Sequence, residues 1–264
     1  LDSALFGWAH TLGEKSAGGC LFDFKNAFPS IHHFWIFAVL RRMRIAESVV
    51  AAILALYCNV WTFIGVGGSF PAGFWALRGM KQGCPLSGVR FALVLNLVLK
   101  TLLVQKSYHD LALCAFADDL GLAARDIFVV LPIFVKQLTQ AEASTGLSLN
   151  LAKCVIVTPR VFDESAARAT FHAAGLDTAA FSVSECGKYL GVYMGLGAAN
   201  KSWRPPLAKL RERIQMVKSL GLSFVHSVVA WNGYALPVVG HVAQGRVSEG
   251  LASPVVAAEL LEVA

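Results

Sequence analysis

Leu111-Ala112-Leu113-Cys114-Ala115-Phe116-Ala117-Asp118-Asp119-Leu120-Gly121-Leu122-Ala123-Ala124 is two apolar runs pinched around a pair of aspartates. Apolar runs of this length around a polar pair predict a β-hairpin with Asp118 and Asp119 at its tip. A second run of the same kind, Cys20-Leu21-Phe22-Asp23-Phe24, is interrupted by one acid and bounded upstream by Gly18-Gly19, which predicts a buried strand. A carboxylate inside an apolar strand is costly unless it is paired or binds a cation. Taken singly, each of Asp23, Asp118 and Asp119 is equally at home as a strand-end or turn residue. Together they offer three carboxylates at strand ends, an all-oxygen set suited to Mg²⁺.

Working outward, Pro29-Ser30 opens a helix running to about Met43, and a second helix follows from about Glu47 to Cys58. Ser87 to Gln105 is apolar on most faces and predicts a buried helix. Leu131, Phe134, Val135, Leu138 and Ala141 recur at helical spacing. Cys154–Thr158 and Lys188–Met194 read as further strands, and Ala4–Leu12 as a short helix. This order predicts an α+β fold, an antiparallel sheet with helices on one face. The tail differs. Lys201 to Lys218 holds six basic residues and one acid, Glu212, around an apolar stripe of Leu207, Leu210, Ile214 and Val217. Pro205-Pro206 is expected to mark the entry to this helix. Residues 1–200 thus form one expected unit and residues 201–264 a second, helical one.

Hydrophobic residues make up 56% of the 264 and charged residues 15%, enough to bury a sizeable core. A net charge of +6 is compatible with nucleic-acid or anionic-surface partners. None of the six cysteines forms a CxxC pair, which argues for reduced, buried thiols and against a zinc site. The mean hydropathy of +0.57 raises the question of a membrane span, and Ser48–Leu77 is uncharged and long enough. Its second half, with Gly65, Gly67, Gly68, Ser69, Pro71 and Gly73, reads instead as a turn or loop between strands, so no span is expected. The N-terminus has no initiating Met, basic n-region or cleavage site, and the chain reads as cut from something longer.

Five motifs then carry a resemblance. Asp23-Phe24-Lys25-Asn26-Ala27-Phe28-Pro29-Ser30 resembles the first palm motif of reverse transcriptases. Gly79-Met80-Lys81-Gln82-Gly83-Cys84-Pro85-Leu86-Ser87 resembles the second, in the GxxQGCPLS form of non-LTR retrotransposons. Phe116-Ala117-Asp118-Asp119 resembles the third, Gly146-Leu147-Ser148-Leu149-Asn150 through Lys153 the fourth, and Lys188-Tyr189-Leu190-Gly191 the primer grip. FADD alone is weak; GxxQGCPLS and the order of the five are specific.

The resemblance implies a right-hand polymerase palm over residues 1–200, with partial fingers at about 45–80, and a helical thumb segment over 201–264. It implies an RNA-directed DNA polymerase in which Asp23, Asp118 and Asp119 hold two Mg²⁺ ions, with Mn²⁺ as the alternative. Phe24, Phe28, Gln82, Gly83 and Lys153 would meet the nucleotide. Phe28 would sit under the sugar and exclude a 2′-hydroxyl, and Lys153 would assist the leaving pyrophosphate. The packing and surface alternatives are a core residue for Phe28 and a solvated lysine for Lys153. Tyr189, Leu190 and Gly191 would hold the primer end, or form an ordinary core strand. Arg204, Lys209, Arg211, Arg213 and Lys218 would give the tail helix a positive face for template–primer phosphates. The implied partners are an RNA template, a DNA primer, dNTPs and the remainder of a retroelement polyprotein, with no membrane, in the cytoplasm or nucleus.

Two departures stand out. Pro29 replaces an acid common in the family. No upstream fingers motif is recognisable, since His10 and Lys15 match none, so weakened nucleotide binding is expected of this chain alone. The rival readings are an inactive remnant of the same fold that only binds nucleic acid, and an unrelated membrane protein suggested by hydropathy alone.

Overall fold

The computed structural model describes residues 16–58, 60–103, 111–158, 163–195 and 197–245. The expected helix Ala4–Leu12, His10 and Lys15 lie outside them. Strand β1 (Gly18–Phe22) is followed by helices α1 (Ala27–Ser30), α2 (His33–Arg42) and α3 (Glu47–Tyr57). A hairpin, β2 (Trp61–Val66) and β3 (Ser69–Trp75), leads to helix α4 (Pro85–Leu103). Then come hairpin β4 (Leu111–Phe116) and β5 (Asp119–Ala124), helix α5 (Ile127–Thr145), β6 (Val155–Val157), α6 (Glu164–Ala173) and β7 (Ser182–Ser184). The chain continues through hairpin β8 (Cys186–Tyr189) and β9 (Val192–Gly195), and helices α7 (Ala198–Ser219), α8 (Phe224–Ala230) and α9 (Pro237–Gly245).

The main sheet has the order β4-β5-β1-β6-β7. Its middle strand, β1, is buried along its whole length because it has a strand on each side and a packed layer on each face. It runs antiparallel to β5, from Gly18↔Ala124 to Phe22↔Leu120, and antiparallel to β6. The β6–β7 pair is parallel, so the sheet is mixed and not purely antiparallel as expected. The reason is helix α6, a crossover that returns the chain to the end where β6 began, as parallel pairing requires. Side-chain alternation separates two faces. Cys20, Phe22, Leu120, Leu122 and Ile156 face the main core with Phe91, Leu131 and Phe134 from the helices. Leu21, Ala123 and Val157 face the other way, onto Tyr189 and Met194 of the β8–β9 hairpin. Helices cover one face, and a hairpin the sequence did not announce covers part of the second.

Three element readings are corrected. The helix expected from Pro29 to Met43 is two, because Ile31, fully buried, takes an extended backbone between them. The strand expected over Lys188–Met194 is a hairpin turned at Leu190-Gly191. Pro205 and Pro206 do not open the tail helix but lie inside α7, which starts at Ala198. A proline in a helix interior removes a hydrogen bond. Here tertiary contacts outweigh that cost: Trp203 and Ser202 are buried, and the Ser202 hydroxyl accepts a hydrogen bond from the Tyr193 N–H at 2.8 Å. Trp203, Leu207, Leu210 and Ile214 then form a core of their own with Ala235, Val239 and Val242.

The Ser48–Leu77 stretch divides between α3 and the β2–β3 hairpin. Its turn is confined to Gly67-Gly68, both with positive φ, while Gly65 and Gly73 lie within strands. Helix α4 is long and apolar enough to cross a membrane by length and composition, yet its Phe91, Val94, Leu95 and Leu99 sit in the main core.

Candidate active site

Asp23 follows the last residue of β1, and Asp119 opens the neighbouring β5. The register Phe22↔Leu120 sets the two aspartates level at one end of the sheet. Alternation gives Asp23 the face of Leu21, and Asp119 the face of Ala123, which is the same face. Asp118 shares with Ala117 the two-residue loop between Phe116 and Asp119. Ala117 has φ of 52°. A positive φ at the first loop position alone is the pattern of a type II′ turn, which favours glycine there, so alanine carries strain of about 1 kcal/mol or more. Burial, then the charge of Asp118, then that of Asp23, hold the Asp119 carboxyl above the ordinary aspartate value. Asp119 therefore sits within electrostatic reach of both other carboxylates.

The fourth motif runs beside the first. Asn150 N–H donates to the Asp23 carbonyl and Lys25 N–H to the Ser148 carbonyl, each at 2.8 Å, with a bridge between Phe24 and Leu149. The single 3₁₀ turn Leu151–Lys153 carries the Lys153 Nζ to 3.9 Å from Asp23 Oδ2. Lys153 is exposed and Asp23 partly so, and solvent screening leaves the pair worth at most about 1 kcal/mol of stability. What it does is hold a cation next to the acidic end of β1. Behind Asp23, the Cys154 sulfur lies 3.5 Å from its N–H. Burial pushes the Cys154 thiol up, and that of neighbouring Cys20 further.

The second motif is docked on the first. Gly79 N–H donates to the Ile31 carbonyl at 2.7 Å and Met80 N–H to the Phe28 carbonyl at 2.8 Å. Gly79 has φ of 91°, and a β-carbon there would stand 2.5 Å from the Pro29 carbonyl oxygen, so only glycine permits this approach. Beyond it Gln82 and Gly83 are exposed, and Gly83 borders open space.

Other expected site residues are distributed unevenly. Phe28 is half-buried, its ring stacked on Phe91 with centroids 4.4 Å apart. Phe24 is only 5% exposed within the main core, because alternation turns it inward from Asp23. Its ring is not at the site surface, and only its main chain is available to a nucleotide. Tyr189 is buried too. Its ring lies against Gly121 and its hydroxyl donates to the Cys114 carbonyl at 3.4 Å, tying the β8–β9 hairpin onto the β4–β5 hairpin. Leu190 and Gly191 form the tip, both at positive φ, where the Leu190 carbonyl meets His241 Nε2 of α9 at 2.7 Å.

The five tail cations do not share one face. At about 100° per residue, Arg204, Arg211 and Lys218 recur every two turns on one side of α7. Lys209 and Arg213 fall on the opposite side of its buried stripe. The Arg213 guanidinium lies over the Tyr234 ring at 4.3 Å and donates to the Tyr234 carbonyl.

The donor chemistry of Asp23, Asp118 and Asp119 fits a hard divalent cation, whose charge would offset the burial and the neighbouring carboxylates that hold Asp119 up. Among the described residues no three His, Cys, Asp or Glu side chains are already gathered in metal-binding geometry. Missed from sequence was the layer under the second motif, Tyr57, Ser87 and Arg90. The signal was Arg90 itself, a lone cation in an otherwise apolar helix.

A family model described as reverse transcriptase (RNA-dependent DNA polymerase) matches residues 8–194. Among curated proteins, the chain is 32% identical over 141 residues to the Pol polyprotein of the retrotransposable element R2DM of Drosophila melanogaster, covering 51% of this chain and 13% of that protein. It is 30% identical over 189 residues to the Pol polyprotein of retrotransposable element R2 of Popillia japonica, covering 68% of this chain and 26% of that protein. The chain thus spans at most about a quarter of the length of these relatives. Among solved structures, telomerase from Candida albicans in complex with a fragment of telomeric RNA superposes with a TM-score of 0.52 at 12% identity, over 92% of this chain and 41% of that one. Apo telomerase from Candida tropicalis gives 0.52 at 11% identity, over 68% and 34%. At such identities the structural likeness concerns the fold alone, the right-hand polymerase fold.

Proposed function

Because this chain belongs to the reverse transcriptase family, we propose that its acidic sheet end adds deoxynucleotides to the 3′-hydroxyl of a DNA primer, copying an RNA template, as the polymerase part of an R2-like retroelement polyprotein. The observation that carries this reading is the level placement of Asp23 and Asp119 on adjoining strands, facing one side, with Asp118 in the loop between β4 and β5. Asp23, Asp118 and Asp119 would hold two Mg²⁺ ions, or Mn²⁺. Bound there, such ions supply charge stabilisation to the attacking and leaving oxygens of phosphoryl transfer.

The chain's own groups do the rest. Phe28, stacked on Phe91, offers a rigid ring within the first motif to exclude a 2′-hydroxyl. Gln82 and Gly83, exposed on the docked second motif, line the forming base pair. Lys153, 3.9 Å from Asp23, gives charge or a proton to the departing pyrophosphate. The Leu190-Gly191 tip holds the primer end, and Arg204, Arg211 and Lys218 meet duplex phosphates. The setting is intracellular, where template and thiol-reducing conditions coexist.

Primer extension on an RNA template with Mg²⁺, parent against Asp118→Asn, tests the reading. We expect extension by the parent and a loss of 10³-fold or more, on the order of the effect of removing a principal electrostatic stabiliser. Equal rates sink it, and duplex binding without extension by either protein favours the inactive remnant.

A further inference from the structure

The buried cation of α4 has no acid to answer it among the described residues. Arg90 is 3% exposed, and among those residues no carboxylate pairs with it. Its hydrogen bonds all go toward the second motif or the residue beneath it. Nε donates to the Leu86 carbonyl at 3.1 Å. Nη2 reaches the Cys84 sulfur at 3.4 Å and also donates to the Tyr57 hydroxyl. The guanidinium carbon lies 4.1 Å from the centre of the Tyr57 ring. That hydroxyl in turn lies 3.0 Å from the Ser87 hydroxyl, which donates to the Lys81 carbonyl at 2.7 Å. His33 closes the arrangement from α2, bonding the Gly79 carbonyl at 2.9 Å and setting its edge against Tyr57.

The stretch Lys81–Leu86 is therefore tied at Lys81 and Cys84 and, on the first turn of α4, at Leu86, and the two residues between the first two ties are Gln82 and Gly83. Burying a guanidinium is expensive, and a neutral side chain of similar volume would serve packing better. What arginine adds is a rigid fork that reaches several acceptors at once, which lysine lacks. We propose that Arg90, acting through Tyr57 and Ser87, is a positioning residue that fixes Gln82 and Gly83 against the incoming nucleotide. The inference rests on the polymerase reading above for what the loop contacts.

The test compares the parent with Arg90→Met, Arg90→Lys, Tyr57→Phe and the Arg90→Met/Tyr57→Phe double variant. The readouts are steady-state primer extension, and amide hydrogen exchange at Cys84 and Ser87 and at Cys20–Phe22 of β1. We expect KM for the deoxynucleotide to rise about tenfold in each single variant with kcat within about twofold, as for a displaced binding element. Lysine should not rescue, and the double variant should be no worse than the worse single. Exchange should quicken at Cys84 and Ser87 and stay slow in β1. An unchanged KM in Arg90→Met and Tyr57→Phe, while Asp118→Asn abolishes extension, overturns the inference and leaves the polymerase reading intact. Exchange that quickens equally in β1 overturns it by marking a merely structural role. Should the parent itself extend no primer, the polymerase reading fails, and unchanged exchange at Cys84 and Ser87 would then separately overturn the tether.

Discussion

Phe28 rests one side of its ring on Phe91 and stays partly exposed. The same residue can thus be a packing partner and a steric wall. Phe28→Val keeps a β-branched stub on Phe91 and removes the outer ring, so ribonucleotide incorporation relative to deoxyribonucleotide should rise on the order of 10-fold to 100-fold, the reach of a few lost contacts. A competition assay with unchanged discrimination would leave Phe28 a packing residue only. The cysteines differ as sharply from one another. Hydrogen bonds from the Leu86 N–H, then from Tyr57, lower the Cys84 thiol from its ordinary value, whereas burial raises Cys20 and Cys154. A lowered thiol ionises earlier as pH rises, so iodoacetamide near neutral pH should label Cys84 well before Cys20 or Cys154. Peptide mass mapping reads this, and early labelling of Cys20 would contradict the buried setting of β1.

Elements were legible where their signals are local. The β4–β5 hairpin, β1, and helices α3 to α5 follow from apolar runs and helical spacing that neighbours in sequence supply. What escaped depends on distant partners. The three residues of β7 make a strand only because β6 lies alongside, and Leu190 adopts φ of 47° only because the hairpin beneath it is pinned at Tyr189. At the site, three carboxylates at strand ends were readable, but the register that sets Asp23 level with Asp119, the inward turn of Phe24 and the tether from Arg90 were not, since all three need the packed sheet. Helix α6 was also unannounced, although Asp163 caps it, accepting from the Ser165 and Ala166 N–H groups. The Ala166 and Ser165 hydrogen bonds hold the Asp163 carboxyl below its ordinary value. A lowered carboxylate stabilises the fold at pH above its unfolded value and loses that contribution as pH falls through the lower folded one. Asp163→Ala should therefore lower the thermal midpoint at neutral pH, and the gap from the parent should close in acid below the ordinary carboxylate range. A gap that persists unchanged in acid would mean the cap works without its charge.

For the whole molecule, the tail helix links two cores. Its buried stripe packs with α9, and its N-terminal turns are fastened to β9 through Ser202. Cations on one side of that stripe face a different direction from those on the other. Replacing Arg204, Arg211 and Lys218 with Gln should flatten the salt dependence of duplex binding by about two to three units of log–log slope, near the value of about 0.9 per phosphate for B-form DNA. Replacing Lys209 and Arg213 should change it much less. Equal slopes for the two variants in salt titrations would refute the division of faces. The placement of β1 has a further consequence, for the time the chain takes to assemble. Gly18 pairs with Ala124 and Gly19 with Val157, so both neighbours of the central strand come from more than a hundred residues downstream. Until that length has left the ribosome, Cys20-Leu21-Phe22 has no partner strand, and the aromatic β2–β3 hairpin emerges before it finds one. Such non-local pairing slows folding and exposes sticky edges on the way. A nascent chain stalled before Val157 should remain protease-sensitive throughout β1, and productive synthesis should depend on a holdase chaperone during that interval.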